Sequence, residues 1–344
     1  MGTDRSEAGD LGVFGSERAL LFSIAYRMLG SASDAEDVLQ DAWLRSQAVD
    51  PSTIRSPIAW ATTVVSRLCL DRLKSARHTR EQYVGPWLPE PVLTSDLVTP
   101  RPSAATSGAA AASTVGTAME AVMSTAADAG ATPESLLERS ESVTLALLVL
   151  LEKLSPEERA VFLLREVFDY DHAEVAQMLD ISVDSSRQLA HRAKASLQRE
   201  RPRPRVRGAI TNPTVARRIA ERFAKAFAAG DADALTSLLT ADVDLLSDGG
   251  GKVAAAGRPI LGRDAVVSLL VGLRAVAGRQ DVVRHAALEF ADINEEPAMI
   301  IRVHGRIESV FVFSLDDDGT IASIQVARNP DKLAYLERRL AGCP

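Results

Sequence analysis

Apolar residues recur at helical spacing through the first 83 positions of the chain. Leu20, Leu21, Ile24, Ala25, Met28 and Leu29 mark one helix. Val38, Leu39, Ala42 and Trp43 form the apolar stripe of a second, for which Ser33 and Glu36 make a capping box. Ser56-Pro57 opens a third, with Ser as N-cap and Pro in the first turn, where its missing N–H costs nothing. Trp60, Val64, Leu68 and Leu73 run along it. The pattern breaks at Tyr83–Pro91, YVGPWLPEP, where closely spaced prolines exclude a helix interior. From Leu93 to Thr132, 24 of 40 residues are Ala, Ser or Thr, so there is little to bury and the segment reads as a linker. Its alanines suit a transient helix over 118–127.

Helical spacing returns over 133–200. Ser155-Pro156-Glu157-Glu158 is a helix start with a capping box, and Asp171 and Ser182 begin two more. Arg199–Arg207, RERPRPRVR, reads as an extended joint. Beyond it the period changes. A helix from Asn212-Pro213 to Gly230 and a short one at 232–239 precede a strand at 243–246. A helix at 264–276 is followed by strands at 282–290, 298–303, 307–315 and 321–326. This order predicts an α+β fold with a curved antiparallel sheet. The divisions are a tail (1–14), a helical domain (15–83), a linker (84–132), a second helical domain (133–200), the joint (201–211) and the α+β domain (212–344).

With 344 residues, the chain has room for two or three domains at roughly 150 residues each. Cys69 and Cys343 make neither a disulfide framework nor a zinc cluster, which fits a reducing cytoplasm, and no metal or cofactor is expected. No apolar run is long enough to span a membrane, and the polar, acidic start is unlike a signal peptide. Net charge is −7, yet charge is segregated. Residues 31–41 hold Asp34, Glu36, Asp37 and Asp41 and no base. Residues 55–80 hold six bases against Asp71, and residues 181–207 hold eight against Asp184 and Glu200. Two basic blocks separated by acidic sequence are the footprint of two phosphate-binding surfaces, or simply of two solvated faces.

The sharpest motif is a helix-turn-helix: His172–Leu179, the turn Asp180-Ile181-Ser182, and Val183–Gln198. On a wheel of the longer helix, Ser186, Leu189, Ala190, Ala193 and Leu197 face inward. Asp184, Arg187, Gln188, His191 and Gln198 face out, with Arg192, Lys194 and Arg199 at the flanks and Ser185 as a further candidate contact. Gln and Arg on such a face can read base edges while the flanking bases hold phosphates.

At this point the chain resembles the bacterial extracytoplasmic-function sigma factors that carry a C-terminal SnoaL-like domain. AEDVLQDAWLR (Ala35–Arg45) is similar to the segment that docks on RNA polymerase, which implies polymerase-binding roles for Asp34, Asp37, Gln40 and Asp41. Ser56–Arg80 is similar to the segment that melts and reads the minus-ten element, which implies DNA contacts for Arg55, Arg67, Arg72, Lys74 and Arg77. A basic groove with ring or guanidinium planes suits unstacked bases, although Trp60 sits at core spacing. Arg67 stands where many members carry Asn. Leu154–Leu197 is similar to the domain that reads the minus-thirty-five element. YVGPWLPEP, Asp248–Lys252 (DGGGK) and Asn329–Leu333 (NPDKL) resemble signature segments of this group, which implies an interdomain regulatory set. That set is Trp87, Leu88, Pro89, Asp248, Gly249, Gly250, Lys252, Asn329, Pro330, Asp331 and Lys332.

The resemblance implies core RNA polymerase and promoter DNA as partners and a cytoplasmic place of action; because one chain carries both DNA surfaces, a monomer is expected when free. It also implies room for a small-molecule ligand in a pocket inside the C-terminal sheet. SnoaL-like folds resemble isomerases and cyclases, so Asp242, Asp244, His285 and His304 are weighed as acid/base groups; nothing in the sequence fixes their geometry. A non-catalytic module acting in cis on the sigma domains is expected instead. Asn329 reads as a helix N-cap, Pro330 as the first helical residue and Lys332 as pointing outward. Trp87, the large rigid apolar group of its segment, is the expected anchor against DGGGK and NPDKL. The alternative is a ligand-sensing helix-turn-helix repressor or activator.

Overall fold

The computed structural model describes residues 12–80, 83–98, 144–199, 213–279, 285–316 and 318–342, with no side chains described at 76–80, 213 and 277–279. The tail before Gly12, the Ala/Ser/Thr-rich insert beyond Val98 with its expected helix, the Arg/Pro joint and Cys343 lie outside the described residues. The helical half comprises α1 (Val13–Ser16), α2 (Arg18–Leu29), α3 (Ala32–Ser46) and α4 (Pro57–Arg80), then α5 (Leu145–Leu151), α6 (Pro156–Phe162), α7 (His172–Leu179) and α8 (Val183–Arg199). A wider π-type turn, Leu163–Val167, follows α6.

The two helical segments share one core. Leu21, Ile24, Met28, Val38, Val65 and Cys69 join Leu148, Val161, Phe162, Leu164, Val175 and Leu189 in it. Burying one such side chain contributes roughly 1.5–3 kcal/mol, so the packing of α4 on α6 and α7 is held chiefly by apolar contact. The starts expected at Ser155 and Asp171 form complete capping boxes. Asp180 closes α7 in the left-handed region at φ 58°.

Two expectations fail on α3. Its cap is Ser31, whose Oγ accepts from the Asp34 N–H at 3.1 Å, and not Ser33. Ser33 is occupied otherwise, because Glu90 accepts its N–H and that of Ala32. Trp43 is 41% exposed. The buried stripe is Ala35, Val38, Leu39, Ala42 and Ser46, and Trp43 lies about 100° around the helix from Ala42.

The C-terminal half comprises α9 (Pro213–Ala229), α10 (Ala232–Leu238), β1 (Leu239–Asp248), β2 (Ile260–Leu261), α11 (Arg263–Arg279), β3 (Ala286–Ile293), β4 (Glu296–Val303), β5 (Arg306–Leu315), β6 (Ile321–Ala327) and α12 (Pro330–Leu340). Strand order is β2-β1-β6-β5-β4-β3. The sheet is mixed, not wholly antiparallel as expected: β1 runs parallel to β6. Strands β3 to β6 form a meander of hairpins, which forces antiparallel pairing. β1 reaches that meander through the α11 crossover, which does not.

The sheet has two unlike faces. Its inner face packs on α9 and α11 through Phe223, Phe311, Phe313, Met299, Val243 and Leu245. The Phe223 and Phe313 rings lie 4.7 Å apart. Its outer face buries Ile300, Val310, Val312 and Ala327 against Leu333 and Leu336 of α12 and Leu145 of α5. Because side chains alternate along a strand, Asp242 and Asp244 point away from the inner core that Val243 and Leu245 enter. His285 and His304 pair at an exposed hairpin end, with ring centres 4.6 Å apart. These four groups are therefore not gathered in one pocket.

Candidate nucleic-acid interface and the interdomain clasp

Helix α8 divides as its sequence predicts. Ser186, Leu189, Ala190, Ala193 and Leu197 are buried, and Asp184, Arg187, Gln188, His191, Arg192 and Arg199 are exposed. Arg187 pairs with Asp184 at 3.0 Å on the helix surface. Ser185 is half-buried and accepts from the Ser182 hydroxyl at 2.9 Å. His172 on α7 contacts Ser186 at 3.0 Å, and its burial lowers the imidazole pKa. The flanking bases are engaged: Arg192 lies 3.3 Å from Glu158, Lys194 lies 3.0 Å from Glu166, and Arg199 donates to the Ala195 carbonyl.

The cations of α4 are turned elsewhere. Arg55 is exposed just before it. Arg67 Nε donates to the Met178 carbonyl at 2.7 Å, and its Nη2 donates to the Gln177 carbonyl at 3.0 Å. These are end carbonyls of α7, where the helix leaves acceptors free and carries partial negative charge. Arg72 fans its guanidinium over Asp34, Asp37 and Asp41 at 3.2–3.4 Å, tying an expected DNA contact to three expected polymerase contacts. Gln40 stands exposed beside them, as do Trp43 and Leu44. Lys74 reaches Glu157 of α6 at 3.1 Å. The Arg77 side chain lies outside the described residues.

YVGPWLPEP is extended and brings DGGGK and NPDKL together. Leu88 N–H donates to Asp248 Oδ2 at 2.9 Å, and Tyr83 donates to Asp248 Oδ1 at 2.6 Å. Burial, and then the bond to Asp248, raise the tyrosine pKa. Asn329 caps α12 and also donates to the Tyr83 hydroxyl at 3.0 Å. Lys332 does not point outward: it is 7% exposed. Its ammonium donates to Asp248 Oδ2 at 2.7 Å and to the Leu88 carbonyl, and it lies 4.2 Å from the Trp87 ring centre. The buried Asp248 carboxylate needs a cation, and Lys332, one turn inside α12, supplies it. Trp87 packs on Gly30, where any Cβ would come within 2.6 Å of the indole. Gly250, at φ +60°, leaves no room for a Cβ beside Asn329. Gly249 and Pro89 are buried, Pro330 is exposed, and Lys252 and Asp331 pair at the exposed rim.

A second junction was not visible in the sequence. The β3–β4 turn presents Asn294, Glu295 and Glu296 in succession, the first two at positive φ. Asn294 donates to the Tyr26 hydroxyl on α2, and its Oδ1 accepts from Val92 N–H. Glu295 accepts from Arg27 at 2.8 Å, with both side chains buried. Glu296 accepts from the Leu145 N–H at the start of α5 at 3.2 Å. Arg159 of α6 is also buried, bonded to Glu152 and to the Arg27 carbonyl. Tyr26 donates to the Glu90 carbonyl at 2.7 Å, and the Glu90 carboxyl is pushed up in pKa by burial. Three consecutive residues of one turn thus bind both helical segments and the linker. The available signal was Arg27 itself, a charge inside a helix buried on every side from Leu21 to Leu29.

Among the described residues, no group of His, Cys, Asp and Glu could hold a metal, and no helix is long and apolar enough to cross a membrane. Residues 13–79 match the Sigma-70 region 2 family, and residues 144–197 match Sigma-70, region 4. The ECF RNA polymerase sigma factor SigJ of Mycobacterium tuberculosis is 38% identical over 260 residues, 76% of this chain and 72% of that protein. The probable ECF RNA polymerase sigma factor SigI of the same organism is 28% identical over 335 residues, 95% of this chain and 96% of that one. The crystal structure of Mycobacterium tuberculosis SigJ superposes with a TM-score of 0.64 at 30% identity, over 94% of this chain and 98% of that one.

Proposed function

This chain belongs to the extracytoplasmic-function RNA polymerase sigma factors, in the group with a C-terminal SnoaL-like domain, and from that membership we propose how it is controlled. It is a promoter-directing factor, and its family is not one of enzymes. In our reading, α8 reads the minus-thirty-five element through Arg187, Gln188 and His191. Helix α4 reads the minus-ten strand through Arg67 and its neighbours. The α3 face with Asp34, Asp37, Gln40 and Asp41 meets polymerase. The SnoaL-like domain restrains these parts in cis through the clasp and the β3–β4 turn.

The observation that carries this reading is the pair of bonds from Arg67 to Gln177 and Met178. The two promoter elements lie about 25 base pairs apart, roughly 85 Å of duplex at 3.4 Å per step. Helices that touch cannot read both at once, so α4 and α7 must separate when promoter is bound. The factor then acts in the cytoplasm and is monomeric when free.

Run-off transcription with bacterial core polymerase on a library of promoter fragments tests the reading. Transcripts that start downstream of a shared two-part motif are expected. Silence, together with no binding to core polymerase and tight binding to duplex alone, would favour the repressor instead.

A further inference from the structure

Helix α9 opens the SnoaL-like domain and turns Ile219, Ala220, Phe223 and Ala224 toward the inner face of the sheet. Its outer side carries Arg217, Arg218, Arg222 and Lys225 against a single acid, Glu221. Arg217 is neutralised, because its Nε donates to Glu221 at 3.0 Å. Arg218, Arg222 and Lys225 are exposed and carry no ion pair among the described residues. Some cations of the same domain are paired, Lys252 with Asp331, Arg302 with Glu289 and Glu337 and Arg328 with Glu308, while Arg258 and Arg306 stand exposed and singly on loops and strand ends. Three uncompensated charges on one helix are unexpected in a chain of net charge −7.

Their spacing is i, i+4, i+7, a single stripe. At 1.5 Å per residue it runs about 10 Å, the axial length of about three phosphates on one DNA strand. The stripe lies on the side of the sheet opposite the helical body, so docking of the sigma domains leaves it open. The chain itself joins it to the recognition helix. Between Arg199, the last residue of α8, and Pro213, the first of α9, the sequence adds Arg201, Arg203, Arg205 and Arg207 against Glu200. Fourteen peptide steps span at most about 50 Å, or about 15 base pairs of duplex.

We infer that the Arg218–Arg222–Lys225 stripe is a further DNA contact, binding the phosphate backbone of the duplex just upstream of the minus-thirty-five element. The inference rests on the assignment of α8 to that element. It gives the SnoaL-like domain a part in promoter binding, and that part is independent of sequence. A phosphate contact needs charge and reach, so lysine serves there as well as arginine, and glutamine does not.

The test uses the full chain bound to core polymerase and two promoter duplexes. One ends just upstream of the minus-thirty-five element; the other extends about 20 base pairs further, beyond the reach of the joint. With the wild-type chain, the longer duplex is expected to show a salt dependence of log K steeper by about 2–3, at roughly 0.9 per phosphate. The triple variant Arg218→Gln, Arg222→Gln, Lys225→Gln should lose that difference. The variant Arg218→Lys, Arg222→Lys should keep it, which separates lost charge from lost folding. Equal slopes on the two duplexes, or an unchanged difference in the triple variant, would overturn the inference. Transcription from the short duplex by both proteins would then show that the sigma assignment stands without it. No transcription from either duplex by either protein would remove both.

Discussion

Helices α4 and α8 are the two proposed DNA readers, and the fold holds their guanidinium groups in opposite states. On α8 the outer face is open, and Arg187 pairs with Asp184, one turn away on the same exposed surface. On α4, Arg67 is fixed by two carbonyls of α7, and Arg72 is surrounded by three carboxylates. Duplex DNA presents phosphates and groove edges without rearrangement, so a reader of duplex can wait exposed. In the proposed reading the minus-ten strand must be melted, and Arg67 stays covered until the helical segments part. The difference lies in what is packed against each helix, since both are amphipathic and basic.

The closed state is most vulnerable at the β3–β4 turn. Glu295→Ala leaves Arg27 buried without its counter-ion, and breaking such a pair costs about 3–5 kcal/mol. Undocking of the turn is expected, with faster hydrogen exchange over 144–151 and 177–179. Run-off transcription should rise while duplex binding through α8 stays constant. Unchanged exchange would mean that the turn does not hold the closed state. Lower transcription with intact polymerase binding would mean that the domain activates rather than restrains.

Much of this was legible in the sequence, for identifiable reasons. The α8 wheel predicted five buried positions because one helix face and one core decide them. YVGPWLPEP, DGGGK and NPDKL marked the clasp through their resemblance to signature segments of the group, and Gly250 at φ +60° shows a close approach there that no Cβ would fit. Lys332 was misread because a charged residue three positions past a helix cap is ordinarily solvated. Only the fold brings Asp248, 84 residues away, beneath it. The Asn294–Glu296 junction was hidden for the same reason. A polar turn between strands has the same composition whether it meets water or another domain. The parallel β1–β6 pair escaped because alternation predicts strands but not their partners.

Protonation sharpens the comparison at the same turn. Burial pushes the Glu296 carboxyl up to about 7; Glu295 beside it adds to the rise, and Ser314 and the Leu145 N–H oppose it. An undocked glutamate titrates near about 4.3. Docking therefore takes up a proton. Its contribution is complete below about 4.3, is lost as pH rises toward about 7, and changes little above that. Scattering measurements of the radius of gyration should show the chain expanding across this window. Glu296→Gln, which mimics the protonated side chain, should stay compact throughout. A flat wild-type profile would contradict the assignment.

The smallest effect is expected where α4 meets α6 at the surface. Lys74 and Glu157 approach to 3.1 Å, but their side chains are 51% and 40% exposed. Such a pair is screened by salt and must hold two long side chains in one geometry, so it contributes roughly 0–1 kcal/mol. A double-mutant cycle of Lys74→Gln and Glu157→Gln, read by urea unfolding, should give a coupling within that range that fades with salt. A coupling of several kcal/mol would mean that surface charge holds α4 closed. The two DNA readers would then differ only in their electrostatics, and salt alone should release the minus-ten helix. A small coupling leaves α4 held by the shared apolar core and the Arg67 bonds to α7, with the Arg27–Glu295 pair fixing α2 to the turn beneath them. Opening would then depend on displacing the β3–β4 turn.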